Sequence, residues 1–180
     1  MQAAPVIVTE RLLLRRPVAG DAEAIFRRYA GDETVCRYLA WPRHRSIDDT
    51  RQFLEWSDQE WARGPAGPYL VTARDGGLLL GSTGLAFETP YRASTGYVIV
   101  QSEWGRGYAT EALLAMRGLA GELGVQRLYA ACHPDHLPSR RVLEKAGFRF
   151  EGTLRRFAEF PNLAPGVAMD AVCYSFVGES

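Results

Sequence analysis

Apolar residues recur along this chain with two different periods, and the changes between them divide it into elements. Residues 6–16, VIVTERLLLRR, hold short apolar runs between polar ends and predict a strand. From Ala22 onward, Ile25, Phe26 and Tyr29 fall at helical spacing. Asp21 stands at the N-cap position before them and Glu23 in the first turn, which predicts a first helix. Ser46 is a second N-cap candidate. Behind it Ile47, Phe53, Leu54, Trp56 and Trp61 predict a longer helix, with Asp48 and Asp49 in the first turn where the helix dipole favours acids. Residues 68–88 read as a hairpin that turns at Asp75-Gly76-Gly77, where positive φ is easy for glycine. Residues 95–100, TGYVIV, predict another short strand. A glycine-rich loop and a helix to about Leu123 follow, and Gly124 ends that helix. Residues 127–133 predict a strand, 138–148 a short helix stopped by Gly147, and 148–157 and 167–177 two closing strands.

The order is β-α-α-β-β-β-α-β-α-β-β. Three strands run together in the middle, so strict βα alternation is broken, and a mixed sheet with helices on both faces is expected. No repeat, low-complexity tract or linker interrupts residues 1–180, which suits a single domain.

Composition narrows the class. Hydrophobic residues make up 47% and charged residues 23%, as in a soluble globular protein. Lys plus Arg and Asp plus Glu number 21 each, a balance that argues against broad electrostatic binding to nucleic acid or to an anionic membrane. Lys145 is the only lysine. The cysteines, Cys36, Cys132 and Cys173, are odd in number and lack CxxC spacing, so reduced thiols in a cytoplasmic protein are expected. A metal site from Cys132, His133 and His136 lacks an evident fourth ligand, and no metal is expected. The N-terminus shows neither a signal-peptide pattern nor a membrane span.

The candidate chemistry lies in SEWGRGYATEALLAM, residues 102–116. A strand runs into a turn with Gly105 and Gly107, and a helix begins at once. The first amides of a helix have no intrahelical partner and favour an anion, and Gly107 and Ala109 are small enough to let a phosphate reach them. Arg106 adds a charge outside. A Walker loop would need Gly-Lys-Ser/Thr where Tyr108-Ala109-Thr110 stand. A dinucleotide loop would need a third glycine and an acid about 20 residues on, roughly where Arg127 stands. A structural turn before a helix is the plain alternative.

Three ordered segments carry a resemblance: TERLLLRRP, GYVIVQSEWGRGYATEAL and HPDHLPSRRVLEKAGF. Together they resemble the GNAT family of N-acetyltransferases, in particular the branch of ribosomal-protein N-terminal acetyltransferases, over nearly the whole chain. The family motif Gln/Arg-x-x-Gly-x-Gly/Ala falls on residues 104–109, with Trp104 departing from Gln/Arg.

The resemblance implies a mostly antiparallel central sheet with a splayed pair of strands, and acetyl-CoA as co-substrate. It implies that the backbone of Val98, Ile99 and Val100 meets the pantetheine arm, and that Gly105, Arg106, Gly107, Tyr108, Ala109 and Thr110 meet the pyrophosphate. His136 falls where the family has a cofactor-contacting Asn, and Ser139 matches the candidate acid, which equally suits a helix N-cap. Ser94 stands where many relatives carry a Glu, which leaves Glu88, acting through a water, as the candidate base. Tyr38, Trp41, Phe87 and Tyr91 are candidates to line the acceptor pocket, beside a basic cluster of Arg37, Arg43 and Arg45.

The expected acceptor is a primary amine. An α-amine, with a pKa of about 7.7–8.0, suits a site without an obvious base better than a lysine at about 10.4. A small-molecule amine and a non-catalytic acyl-CoA-binding module are the alternatives. A homodimer is compatible with the sequence.

Overall fold

The computed structural model describes residues 2–178. Eight strands form one sheet in the order β1-β2-β3-β4-β5-β6-β8-β7. These are β1 (Val6–Val8), β2 (Leu12–Arg15), β3 (Pro68–Ala73), β4 (Leu79–Thr89), β5 (Arg92–Ile99), β6 (Arg127–Cys132), β7 (Arg149–Glu159) and β8 (Ala168–Val177). Every neighbouring pair is antiparallel except β5 and β6, which run parallel.

The single strand expected over residues 6–16 is a hairpin. Thr9 makes the turn: its amide donates to the Leu12 carbonyl at 2.9 Å, and its Oγ1 accepts the Leu12 amide at 3.0 Å. Val6 then lies opposite Arg15. The strand expected at Thr95 begins earlier, at Arg92.

Five helices accompany the sheet: α1 (Ala22–Ile25), α2 (Glu33–Cys36), α3 (Ile47–Arg63), α4 (Tyr108–Glu122) and α5 (Leu137–Lys145). Ser46 caps α3 in a reciprocal box with Asp49, as expected. Asp21 does not cap α1. Its carboxylate is taken by Arg15, at 2.6 and 2.8 Å, and by the Val18 amide. The first helix also widens into a π-helical turn over Phe26–Ala30, closed by the Gly31 amide reaching back five residues to the Phe26 carbonyl at 2.9 Å. The carbonyls released by that turn find other donors: the Cys36 thiol reaches those of Tyr29 and Ala30, and the His44 amide reaches that of Ala30 at 2.9 Å.

Alternation along the strands builds two cores. Tyr69, Val71 and Ile99 face Leu113 and Met116 of α4, while Leu70, Val98 and Val100 face Ile25 of α1 and Leu54 of α3. Full burial of each large side chain contributes roughly 2 kcal/mol. The sheet is thereby covered by helices on both faces, as the order of elements predicts. No helix among the described residues is long and apolar enough to cross a membrane.

Candidate active site

β5 and β6 pair at only three positions, Arg92 with Arg127, Ala93 with Leu128 and Ser94 with Tyr129. Beyond them the strands part. β5 stays bonded to β4 through Ile99, and β6 to β8 through Cys132. A gap therefore opens in the sheet along Thr95 to Val98 on one side and Ala130 to Cys132 on the other. It belongs to a cavity of about 990 Å³. One contact spans it: the Tyr97 phenol donates to the Ser139 carbonyl at 3.0 Å and lies 2.9 Å from the Ser139 hydroxyl. Ser139 is the third residue of α5, not its N-cap; that position is held by His136, whose side chain makes no capping bond. Burial pushes the Tyr97 phenol well up, so it stays protonated near neutral pH.

Next to the gap, the glycine-rich loop takes the shape its sequence suggests. Gly105 has φ 77° and Gly107, the N-cap of α4, φ 83°. The first main-chain bond of α4 runs from the Glu111 amide to the Gly107 carbonyl, which leaves the amides of Tyr108, Ala109 and Thr110 without helical acceptors. Arg11 fastens this loop to the β1–β2 turn. Its guanidinium donates to the Arg106 carbonyl at 2.9 Å, pairs with Glu111 at 2.7 Å and lies over the Tyr108 ring at 4.7 Å. Trp104, the departure from the family motif, donates its indole N–H to the Ile99 carbonyl at 2.7 Å and so ties the loop to the end of β5. Arg106 is exposed and pairs with Glu103.

Partial burial pushes the Glu111 carboxyl up, but bonds from Thr9, the Arg11 amide and the Arg11 guanidinium bring it net below its usual value. A carboxyl whose folded pKa is depressed stabilises the fold above its unfolded pKa, 4.5 here, and loses that effect as pH falls through the folded value. E111Q is therefore expected to melt below wild type at pH 7, with the difference closing under pH 4.5 in thermal scans.

The other end of the cavity is aromatic. Tyr38 stacks on His133 and His136, with ring centres at 5.2 and 4.9 Å. Trp41, His44, Phe53 and Trp56 follow in a row, with successive centres 5.4, 6.3 and 5.8 Å apart. His44 is fixed by the hydroxyl of Thr50, 2.8 Å from its Nδ1. Burial lowers the pKa of both His44 and His136; Asp49 raises that of His44 in part, and His133 lowers that of His136 further. Asn162, in the β7–β8 connection, locks this wall with one side chain. Its amide nitrogen donates to the carbonyls of Cys36 and Trp41 at 2.7 and 2.9 Å, and its oxygen accepts the Arg43 amide at 2.8 Å. At about 1 kcal/mol per bond, removing all three is substantial for a loop. N162A is expected to raise the acceptor KM about tenfold and leave acetyl-CoA affinity unchanged, which steady-state kinetics in both substrates will read.

The expected residues do not all meet here. Tyr38, Trp41, Val98, His136 and Ser139 line the cavity; Phe87, Glu88 and Tyr91 do not. Phe87 packs against the core under α4. Tyr91 is 54% exposed, in the β4–β5 turn. Glu88 accepts the Tyr129 phenol, pairs with Arg92 at 2.8 Å and faces a separate pocket beside Arg127 and Glu151. A carboxylate so held is no base for this cavity. Ile99 and Val100 are buried, with their side chains in the two cores on opposite faces of the sheet. His44, Tyr97 and Asn162 were not foreseen. His44 stood in the YLAWPRHR stretch, where arginines drew attention, and Tyr97 in the GYVIV strand. No group of three or more His, Cys, Asp or Glu suited to a metal is found among the described residues.

The sheet is parted between two parallel strands, and a helix start with bare amides stands beside the parting, the arrangement expected of an acyl-CoA site. A family profile described as acetyltransferase (GNAT) domain matches residues 11–149, and the chain belongs to that family. It is 31% identical over 176 residues to the uncharacterized N-acetyltransferase YoaA of Bacillus subtilis (strain 168), covering 96% of this chain and 97% of that protein. Two solved structures share the fold. One is RimL, a ribosomal L7/L12 α-N-protein acetyltransferase in complex with coenzyme A, with TM-score 0.83, 21% identity and coverage of 96% and 97% of the two chains. The other is the microcin C7 self-immunity acetyltransferase MccE in complex with acetyl-CoA and AMP, with TM-score 0.82, 23% identity and 94% of each chain. The protein is an acetyl-CoA-dependent N-acetyltransferase.

Proposed function

We propose that the acceptor is the α-amine of a peptide or protein N-terminus. The observation that carries this reading is the chemistry of the cavity: hydroxyls and an imidazole line it from Thr95, Tyr97, Ser139 and His136, and its two carboxylates, Asp49 and Glu60, both stand on α3 rather than on the strands that form the gap, with Asp49 engaged by the amides of Arg45 and Ser46. Deprotonating a lysine at neutral pH costs roughly 4–5 kcal/mol, an α-amine only about 1. A gap whose strands offer no carboxylate base suits the second. The fold shared with RimL, which acts on an α-amine, supports the same choice.

In this reading the pantetheine arm lies between β5 and β6, where Thr95 to Val98 pair with β4 on one side and have no partner strand on the other. The pyrophosphate sits on the amides of residues 105–110. The amine enters from the aromatic end, guided by Tyr38 and Trp41, and attacks the thioester carbon. The C–N bond forms and the C–S bond breaks. The departing sulfur takes its proton from the Ser139 hydroxyl, which the Tyr97 phenol beside it orients. His136, with its Nδ1 buried and unpartnered, presents a neutral ring to the cofactor side.

One observation favours a second acceptor class. The row of rings from Trp41 to Trp56 would stack a planar group, and the MccE structure holds AMP. Turnover on a mass-resolved panel of peptides and small ring-bearing amines decides between them. The proposal expects peptides with free N-termini to be acetylated at least tenfold more efficiently; preference for a small amine overturns it. Calorimetric titration with acetyl-CoA is expected to show micromolar binding.

A further inference from the structure

We propose that His44 is the general base of the transfer, its Nε2 taking the proton that the amine sheds, with Thr50 as the positioning residue. This assignment rests on the acetyl-transfer reading above and supplies the base that Glu88 cannot be.

The geometry converges on His44 from three elements. Its main chain is pinned to the Ala30 carbonyl, which is free to accept because the helix widens into a π-turn there. Such turns are rare and recur at functional sites. Its ring is held at Nδ1 by Thr50, a fully buried residue of α3 whose hydroxyl makes no other hydrogen bond among the described residues. When Nδ1–H donates to that hydroxyl, the lone pair stands on Nε2, which has no partner among the described residues. Trp41 and Phe53 flank the ring, which is partly buried. Burial favours the neutral form, so the base is ready at neutral pH.

The charged groups around it are few. Asp49 on α3 is engaged by the amides of Arg45 and Ser46. Arg43 pairs outward with Glu33, and Arg45 lies on the same loop. Tyr29, from the π-turn, is buried and its phenol is pushed well up, hence neutral. The competing imidazole is poorer: His136 would bury a charged Nδ1–H with no acceptor. The proton balance closes simply. His44 takes one proton from the amine nitrogen as the C–N bond forms and returns it to water at the cavity mouth, while the sulfur of coenzyme A gains one from Ser139 as the C–S bond breaks and Ser139 regains one from water.

The test is kinetic. Wild type is expected to show an acid limb in kcat below about pH 6.5. H44Q is expected to lose that limb and about 10²–10³-fold in kcat at pH 7, with the deficit shrinking above pH 9, where the amine is already neutral. Its acetyl-CoA Kd should stay within twofold of wild type, which shows that it folds. T50V should lower kcat about fivefold and move the limb, again with unchanged Kd. Wild-type turnover that H44Q retains, or an acid limb that survives H44Q, overturns the assignment alone. Failure of wild type on every amine overturns the acetyl-transfer reading, and the assignment with it.

Discussion

G107V should weaken acetyl-CoA binding by about 100-fold and leave the fold in place. Gly107 holds φ 83° at the N-cap of α4. A β-branched residue there is a steric outlier and costs roughly 1–2 kcal/mol to keep left-handed. A Cβ would also lie 3.4 Å from the Arg11 guanidinium that fastens the loop. The strain is relieved by turning the peptide, and the peptide carries the amides offered to the pyrophosphate. Each charge-assisted bond lost costs about 1.5–3 kcal/mol, so two lost bonds suffice for the expected factor. The loop is exposed and outside both cores, so the melting temperature should fall by only a few degrees. Calorimetry with acetyl-CoA, beside a thermal scan, reads both. Unchanged affinity would return the loop to a simple turn.

G81A should act on the fold itself. A Cβ on Gly81 would lie 1.9 Å from the Val98 carbonyl oxygen and 3.0 Å from the Cα of Ile99, both backbone atoms that no rotamer change can move. Strands β4 and β5 must separate where Gly81 stands opposite Ile99. Overpacking of this kind costs about 3 kcal/mol, and for a chain of this size the melting temperature should drop by about 6–12 °C. Because β5 is also one wall of the gap, acetyl-CoA affinity should fall with it. A drop under about 2 °C would show that the strands have room to spare.

Much of this architecture was legible in periodicity. The cap at Ser46, the turn at Asp75-Gly76-Gly77 and the stops at Gly124 and Gly147 are local chemistry, and local chemistry is written in neighbouring residues. The glycine loop was legible for the same reason. What failed was whatever depended on distance. Asp21 looks like a cap until Arg15 and Val18 claim its carboxylate. Glu88 looks like a free loop acid until Tyr129 and Arg92 come against it. Phe87 and Tyr91 neighbour the site in sequence, but alternation along β4 turns Phe87 to the core and the β4–β5 turn carries Tyr91 outward. Asn162 is the sharpest case: its partners stand 119, 121 and 126 positions away, beyond the reach of any spacing rule.

The three residue pairs that join β5 to β6 are also the seam between two leaves of one sheet. The first leaf, β1 to β5, carries the glycine loop; the second, β6 to β8, carries Ser139 on α5 and Asn162 between its last strands. Among the contacts that cross from leaf to leaf are Tyr97 to Ser139 over the gap, Asn162 to the loop before α3 and Tyr129 to Glu88. The gap and the aromatic wall are thus fastened across the same seam by different residues, Tyr97 at one and Asn162 at the other, so that each can be loosened by its own substitution.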